Sequence, residues 1–188
     1  MELLRTLVEM SGPSGREERI RKVVIAELKG LGAEVSTDTL GNVIGFIKGS
    51  GKEPAGGRKK IMLAGHIDEI GFYVSYIDDK GFIRLNPVGG WDPRTLMAQR
   101  VLVMGREDLP GVIGSKPVHI LSEAEKSKGL ELKDYFVDVG LPKEKVMEKV
   151  KVGDPVTMYR NMIEIGDCLT CKTFDDRVGV YCMIEAVR

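Results

Sequence analysis

His66-Ile67-Asp68 places an imidazole two residues from a carboxylate, immediately after the apolar run Ile61-Met62-Leu63-Ala64-Gly65. In an extended segment, residues two apart point to the same side, so ring and carboxylate can address one site. Neutral imidazole binds a divalent metal through one nitrogen, and a nearby carboxylate fixes its tautomer and raises its basicity. The same tripeptide also suits a hydrogen-bonded histidine that closes a strand, so the remainder of the chain must choose between the two. A second cluster, Cys168-Leu169-Thr170-Cys171, has the spacing of half a zinc knuckle or a redox pair. A closed zinc site needs four ligands and a redox pair belongs at a helix start. Here the pair lies in an alternating, strand-like stretch and reads as ordinary thiols. Asp175-Asp176, before an apolar helical pattern, reads on its own as a helix cap and a first-turn carboxylate.

The elements that must position these groups follow from apolar periodicity. Leu3, Leu4, Leu7 and Val8 predict a short helix, ended by Ser11-Gly12-Pro13. Ser14-Gly15-Arg16-Glu17 reads as a capping box that starts a second helix with Ile20, Val23, Val24, Leu28 and Leu31 on its apolar face. Strands are expected over 33–39 and 42–47, turned at Leu40-Gly41-Asn42. The run Ile61 to Ala64 lacks polar alternation and predicts a strand buried on both faces, with His66 delivered at its carboxyl end. Beyond Glu69 the texture changes to short strands and frequent turns: 72–77, 82–85, 100–104, 111–113, 135–139 and 155–159. Surface helices are expected over 122–128 and 142–150, the second with Pro142 at its first position. Helical texture returns after Asp176 with Val178, Tyr181, Cys182 and Ile184, and the chain reaches Arg188 inside that pattern, which reads as a cut. The fold class is therefore α/β, with a small mainly-β domain inserted. The predicted division is 1–68 for the first part of the α/β domain, 69–165 for the β-rich insertion and 166–188 for the resumed α/β domain.

Composition narrows the function. Lys+Arg and Asp+Glu both count 28, so no net field favours nucleic acid or an anionic membrane surface. Apolar runs are too short to span a bilayer, and the N-terminus lacks a signal-peptide layout, so a cytoplasmic location is expected. Three cysteines are too few for a disulfide framework. Met97, Met104 and Met162 read as core filling, and Trp91 as an aromatic that packs a loop onto the β domain or lines a substrate entrance. His119, in Lys116-Pro117-Val118-His119, reads as a turn-stabilising or interface residue.

An ordered set of segments then carries a resemblance. Ser11 to Glu18, Asp38 to Asn42, Gly65-His66-Ile67-Asp68-Glu69-Ile70-Gly71, Gly111 to Gly114, Lys116 to His119 and Phe174-Asp175-Asp176-Arg177-Val178-Gly179 together resemble the M42 family of metallo-aminopeptidases. The resemblance implies a zinc-peptidase-like catalytic domain, incomplete here, interrupted by a β-rich dimerisation domain. It also implies two divalent ions, zinc or cobalt, with His66 and Asp175 as metal ligands, Asp175 bridging, and Asp68 as the catalytic carboxylate that orients His66. Asp176 keeps the role of helix support. The substrate would be a peptide losing its N-terminal residue, and the assembly a homodimer, or a dodecamer in the complete enzyme. The family's general-base glutamate and its remaining ligands lie further along than this sequence runs, so the chain alone is expected to be inactive. Two alternatives stay open: a non-enzymatic dimerisation or assembly module, and a glycoside hydrolase of endoglucanase type, which would need two carboxylates flanking a sugar bond.

Overall fold

The computed structural model describes residues 1–123, 127 and 129–188. Helix α1 (Glu2–Glu9) presents Leu4, Leu7 and Val8 to the interior, and α2 (Glu18–Gly30) presents Ile20 and Val24. Gly32, at φ +78°, turns the chain out of α2 into an antiparallel hairpin of β1 (Glu34–Thr37) and β2 (Val43–Phe46). Asp38 builds the hairpin turn, accepting hydrogen bonds from the Leu40 and Asn42 amides.

Between these helices and the last one stands a closed antiparallel barrel. Its strands are β3 (Gly71–Ile77), β4 (Ile83–Val88), β5 (Arg100–Met104), β6 (Asp108–Ser115), β7 (Tyr135–Asp138) and β8 (Pro155–Met158), in the order β3-β4-β7-β6-β5-β8. Alternation decides the interior: Phe72 and Val74, Val101 and Val103, Ile113, Val137 and Val156 are all buried. Helix α3 (Lys143–Lys149) closes one end through Val146, with Pro142 as the cap residue rather than the first helical one. Trp91 belongs to this packing. Its ring stacks on Phe72 at 4.6 Å and its Nε1 donates to the Gly71 carbonyl. A small hairpin, β9 (Ile163–Ile165) with β10 (Cys168–Thr170), leads to α4 (Phe174–Val187), which packs on α1. There Leu7, Ile20, Val24, Val180 and Ile184 form a second core. Of the cysteines, Cys168 and Cys182 are exposed and Cys171 is half-buried, its thiol donating to the Val8 carbonyl.

Four further expectations are corrected. Residues 61–64 form no strand, and Ile61 and Met62 are 88% and 87% exposed. Among the described residues no strand lies beside this run to pair its backbone or cover its side chains. The buried stripe of α4 is Arg177, Val180 and Ile184, whereas Val178 and Cys182 face outward. Met97 is exposed, although Met104 and Met162 are buried. Ser14 does not cap α2: the cap position is Glu17, without a side-chain cap, and Ser14 is engaged elsewhere. The helix expected over 122–128 falls largely outside the described residues.

Candidate metal centre

The His66 ring lies between two carboxylates. Its Nδ1 is 3.0 Å from Asp68 Oδ1, and its Nε2 is 3.1 Å from Asp175 Oδ1. Sequence spacing thus brings Asp68 to one nitrogen, and the tertiary fold brings Asp175 to the other. Asp176 is excluded from the ring because its carboxylate lies in a wedge between Gly65 and Gly179. An ideal Cβ on Gly179 would stand 2.3 Å from Asp176 Oδ1, and one on Gly65 2.9 Å from Oδ2. The Asp175–Asp176 peptide bond is cis, and neither residue has helical φ/ψ, so regular helix begins only after them. Among the described residues there is no group of three or more His, Cys, Asp or Glu placed to hold one metal ion.

A network that the sequence reading missed fixes the ring's neighbourhood from behind. Pro13 and Arg16 close a turn with Gly15 at φ +86°, which leaves Ser14 at its corner. This turn is clipped to the histidine segment in register: Glu69 N donates to the Gly12 carbonyl, and Gly12 N donates to Glu69 Oε1 at 2.9 Å. Glu69 in turn accepts from Lys172 Nζ at 2.8 and 2.7 Å and lies 3.6 Å from the Arg177 guanidinium. All three side chains are essentially sealed from solvent, at 3%, 2% and 0% exposure. Arg177 donates to the carbonyls of Leu7 and Met10 and, through Nε at 2.8 Å, to that of Ile67, between His66 and Asp68. Burial lowers the Lys172 pKa, although Glu69 opposes it; burial likewise lowers that of Arg177. The periodicity of Arg177, Val180 and Ile184 was the available signal, since it places the arginine on the helix's buried face.

Electrostatics at the ring itself run the other way. Burial alone would lower the His66 pKa, but hydrogen bonding to Asp175 and then the charge of Asp68 outweigh it and hold the pKa above its ordinary value of about 6.5. A raised folded-state pKa stabilises fully below the unfolded value, and that contribution is lost as pH rises through the folded one. The metal-free chain is therefore expected to be more stable than its His66→Gln variant below about pH 6.5, with the difference closing at higher pH. Paired thermal melts across pH test this. A constant difference would contradict it.

Residues 41–188 match the sequence profile of the M42 glutamyl aminopeptidase family. The chain belongs to that family. The lysyl aminopeptidase of Pyrococcus furiosus is 35% identical over 193 aligned residues, covering all of this chain and 54% of that protein. Among solved structures, the TET aminopeptidase of the marine sediment archaeon Thaumarchaeota archaeon SCGC AB-539-E09 superposes with a TM-score of 0.90 at 38% identity, over 100% of this chain and 52% of that one. A Pyrococcus horikoshii TET1 peptidase that can assemble into a tetrahedron or a large octahedral shell superposes at 0.83 with 34% identity, over 99% and 55%. This M42 chain thus spans about half the length of the relatives it matches.

Proposed function

We propose that this chain supplies the first part of a dinuclear metal site in an aminopeptidase that removes N-terminal residues from peptides. The observation that carries the reading is the His66 imidazole, held on Nδ1 by Asp68 while Nε2 faces Asp175. A separation of 3.1 Å suits two neighbouring ligands of one ion, which in a tetrahedral site stand about 3.3 Å apart. The donor types, one imidazole nitrogen and one carboxylate oxygen, suit zinc or cobalt. When the proton of the neutral ring is on Nδ1, donated to Asp68, the lone pair lies on Nε2 and is available to an ion. Asp175, whose side chain is 97% exposed, is open to a second ion on its far side. The ions, when bound, would render a water nucleophilic and polarise the scissile carbonyl. Metal uptake must displace the proton that the raised His66 pKa retains, so affinity is expected to climb with pH.

Two direct donors do not hold a metal firmly, since structural sites use four and catalytic sites commonly three with water. The 188-residue chain alone is therefore proposed to be inactive or nearly so. A polypeptide that also spans the relatives' remaining length would supply further ligands and the general-base glutamate that the family resemblance implies. The barrel is the proposed dimerisation surface, with larger shells like that of the Pyrococcus horikoshii peptidase built from such dimers in the complete enzyme. No helix among the described residues is long and apolar enough to cross a membrane, and a cytoplasmic location is proposed. A glycosidase reading gains nothing from the site, because both carboxylates engage a single imidazole.

Release of p-nitroaniline from lysyl, leucyl and glutamyl anilides, with zinc or cobalt added, tests this. The expected result is turnover by the longer polypeptide and none above background by the 188-residue chain. Hydrolysis of carboxymethylcellulose without anilide cleavage would overturn the reading, and an ordinary enzymatic rate from the 188-residue chain would overturn the two-ligand argument.

A further inference from the structure

We propose that Ser14 is a positioning residue for the His66 site, held there by Tyr73 of the barrel; this rests on the metal-site reading above. A carboxylate can only accept, so the close contact between Ser14 Oγ and Asp68 Oδ2 has the hydroxyl as donor. Asp68 therefore has its two oxygens engaged by different partners: Oδ2 by Ser14, and Oδ1 by His66 Nδ1. With one oxygen anchored, rotation about the Asp68 side chain is stopped, and the other oxygen is aimed at the ring. Among the described residues no other hydrogen bond holds Oδ2, so without Ser14 the Asp68 carboxylate is free to turn towards water.

Ser14 is itself fixed at both levels. Gly15, at φ +86°, sets the turn that points the Ser14 side chain at Asp68. The Tyr73 hydroxyl, from β3, donates to the Ser14 carbonyl at 2.8 Å and holds that turn against the barrel. The chain of contacts therefore runs from barrel strand to hydroxyl, to carboxylate, to imidazole, and ends at the nitrogen that faces Asp175. It gives the Ser-Gly-Pro-Ser-Gly segment a role in orienting the ligand rather than in capping a helix.

The test uses the full 188-residue chain with its two histidines, followed by imidazole nitrogen NMR in Ser14→Ala, Ser14→Thr, Tyr73→Phe and Ser11→Ala. Ser11→Ala is the control for general loosening, because it removes a buried hydroxyl contact to Thr157, 2.7 Å away, without touching Asp68. In metal-free protein on the alkaline plateau of the His66 titration, in an Asp175→Ala background that leaves Asp68 as the carboxylate at the ring, His66 is expected to hold its proton on Nδ1, zinc affinity being read with Asp175 in place. Ser14→Ala should convert it to a tautomer mixture and weaken zinc affinity by roughly 10-fold, the lower end of losses seen when such supporting groups are removed. Ser14→Thr should restore both readouts, and Tyr73→Phe should shift them part of the way. The proposal is overturned if Ser14→Ala leaves the tautomer unchanged, or if Ser11→Ala alters it as much. A tautomer change in Ser14→Ala, with no zinc response at His66 in any variant, would uphold the positioning role and sink the metal reading.

Discussion

Replacing Glu69 by alanine is expected to unfold this chain or bring it to the edge of unfolding. The substitution leaves Lys172 and Arg177 as two buried cations, 2% and 0% exposed, without the carboxylate that faces both. Breaking a buried pair by removing one partner costs about 3–5 kcal/mol, because the remaining charge is stranded in a medium that solvates it poorly. Here one carboxylate serves two cations, and it also accepts the Gly12 amide. Whole domains are stable by only about 5–15 kcal/mol, so a loss of this size consumes much of the total. Arg177 retains its bonds to the Leu7, Met10 and Ile67 carbonyls, which limits relaxation toward solvent. Lys172→Met should be milder, since it removes a charge whose burial is already costly and leaves Glu69 facing Arg177. Urea unfolding of the three proteins measures the order. A Glu69→Ala protein as stable as wild type would show that the network contributes nothing.

The same network marks how far local sequence pattern reaches. The helices, the 34–46 hairpin and the short strands were legible because their signals are local: apolar period, turn glycines, and the Asp78-Asp79-Lys80-Gly81 bend. His66 and Asp68 were legible because a two-residue spacing is itself a geometric statement. Asp175 was not legible from spacing at all, and only the family resemblance singled it out from Asp176. Ser14 and Glu17 misled for the opposite reason. Their three-residue separation fits a capping box, but the hydroxyl's partner is Asp68, 54 positions away, and no periodicity encodes a contact of that range. Glu69 and Lys172 look like solvated residues in a polar stretch, and only the converging carbonyls and amides of three segments show otherwise. The run at 61–64 is apolar as a buried strand should be, yet burial depends on neighbours, and none of the described residues provides them.

The largest functional effect is expected at His66 itself. With two histidines in the chain, His119 supplies an internal reference for whatever happens at His66. His66→Ala removes the imidazole nitrogen that faces Asp175, and the carboxylates left behind do not by themselves retain zinc. Asp175→Ala removes the facing oxygen and should weaken binding less, because the imidazole remains oriented by Asp68. In a longer polypeptide with the remaining ligands, either change should abolish anilide hydrolysis. In the 188-residue chain the effect is read directly by titrating zinc into labelled protein and following both imidazoles by nitrogen NMR. The account predicts that zinc shifts the His66 Nε2 resonance while the Nδ1 proton stays in place, that His119 is unaffected, and that Asp175→Ala weakens the response. Zinc shifting His119 instead, or leaving the His66 Nε2 resonance unchanged at saturating concentration, would contradict it.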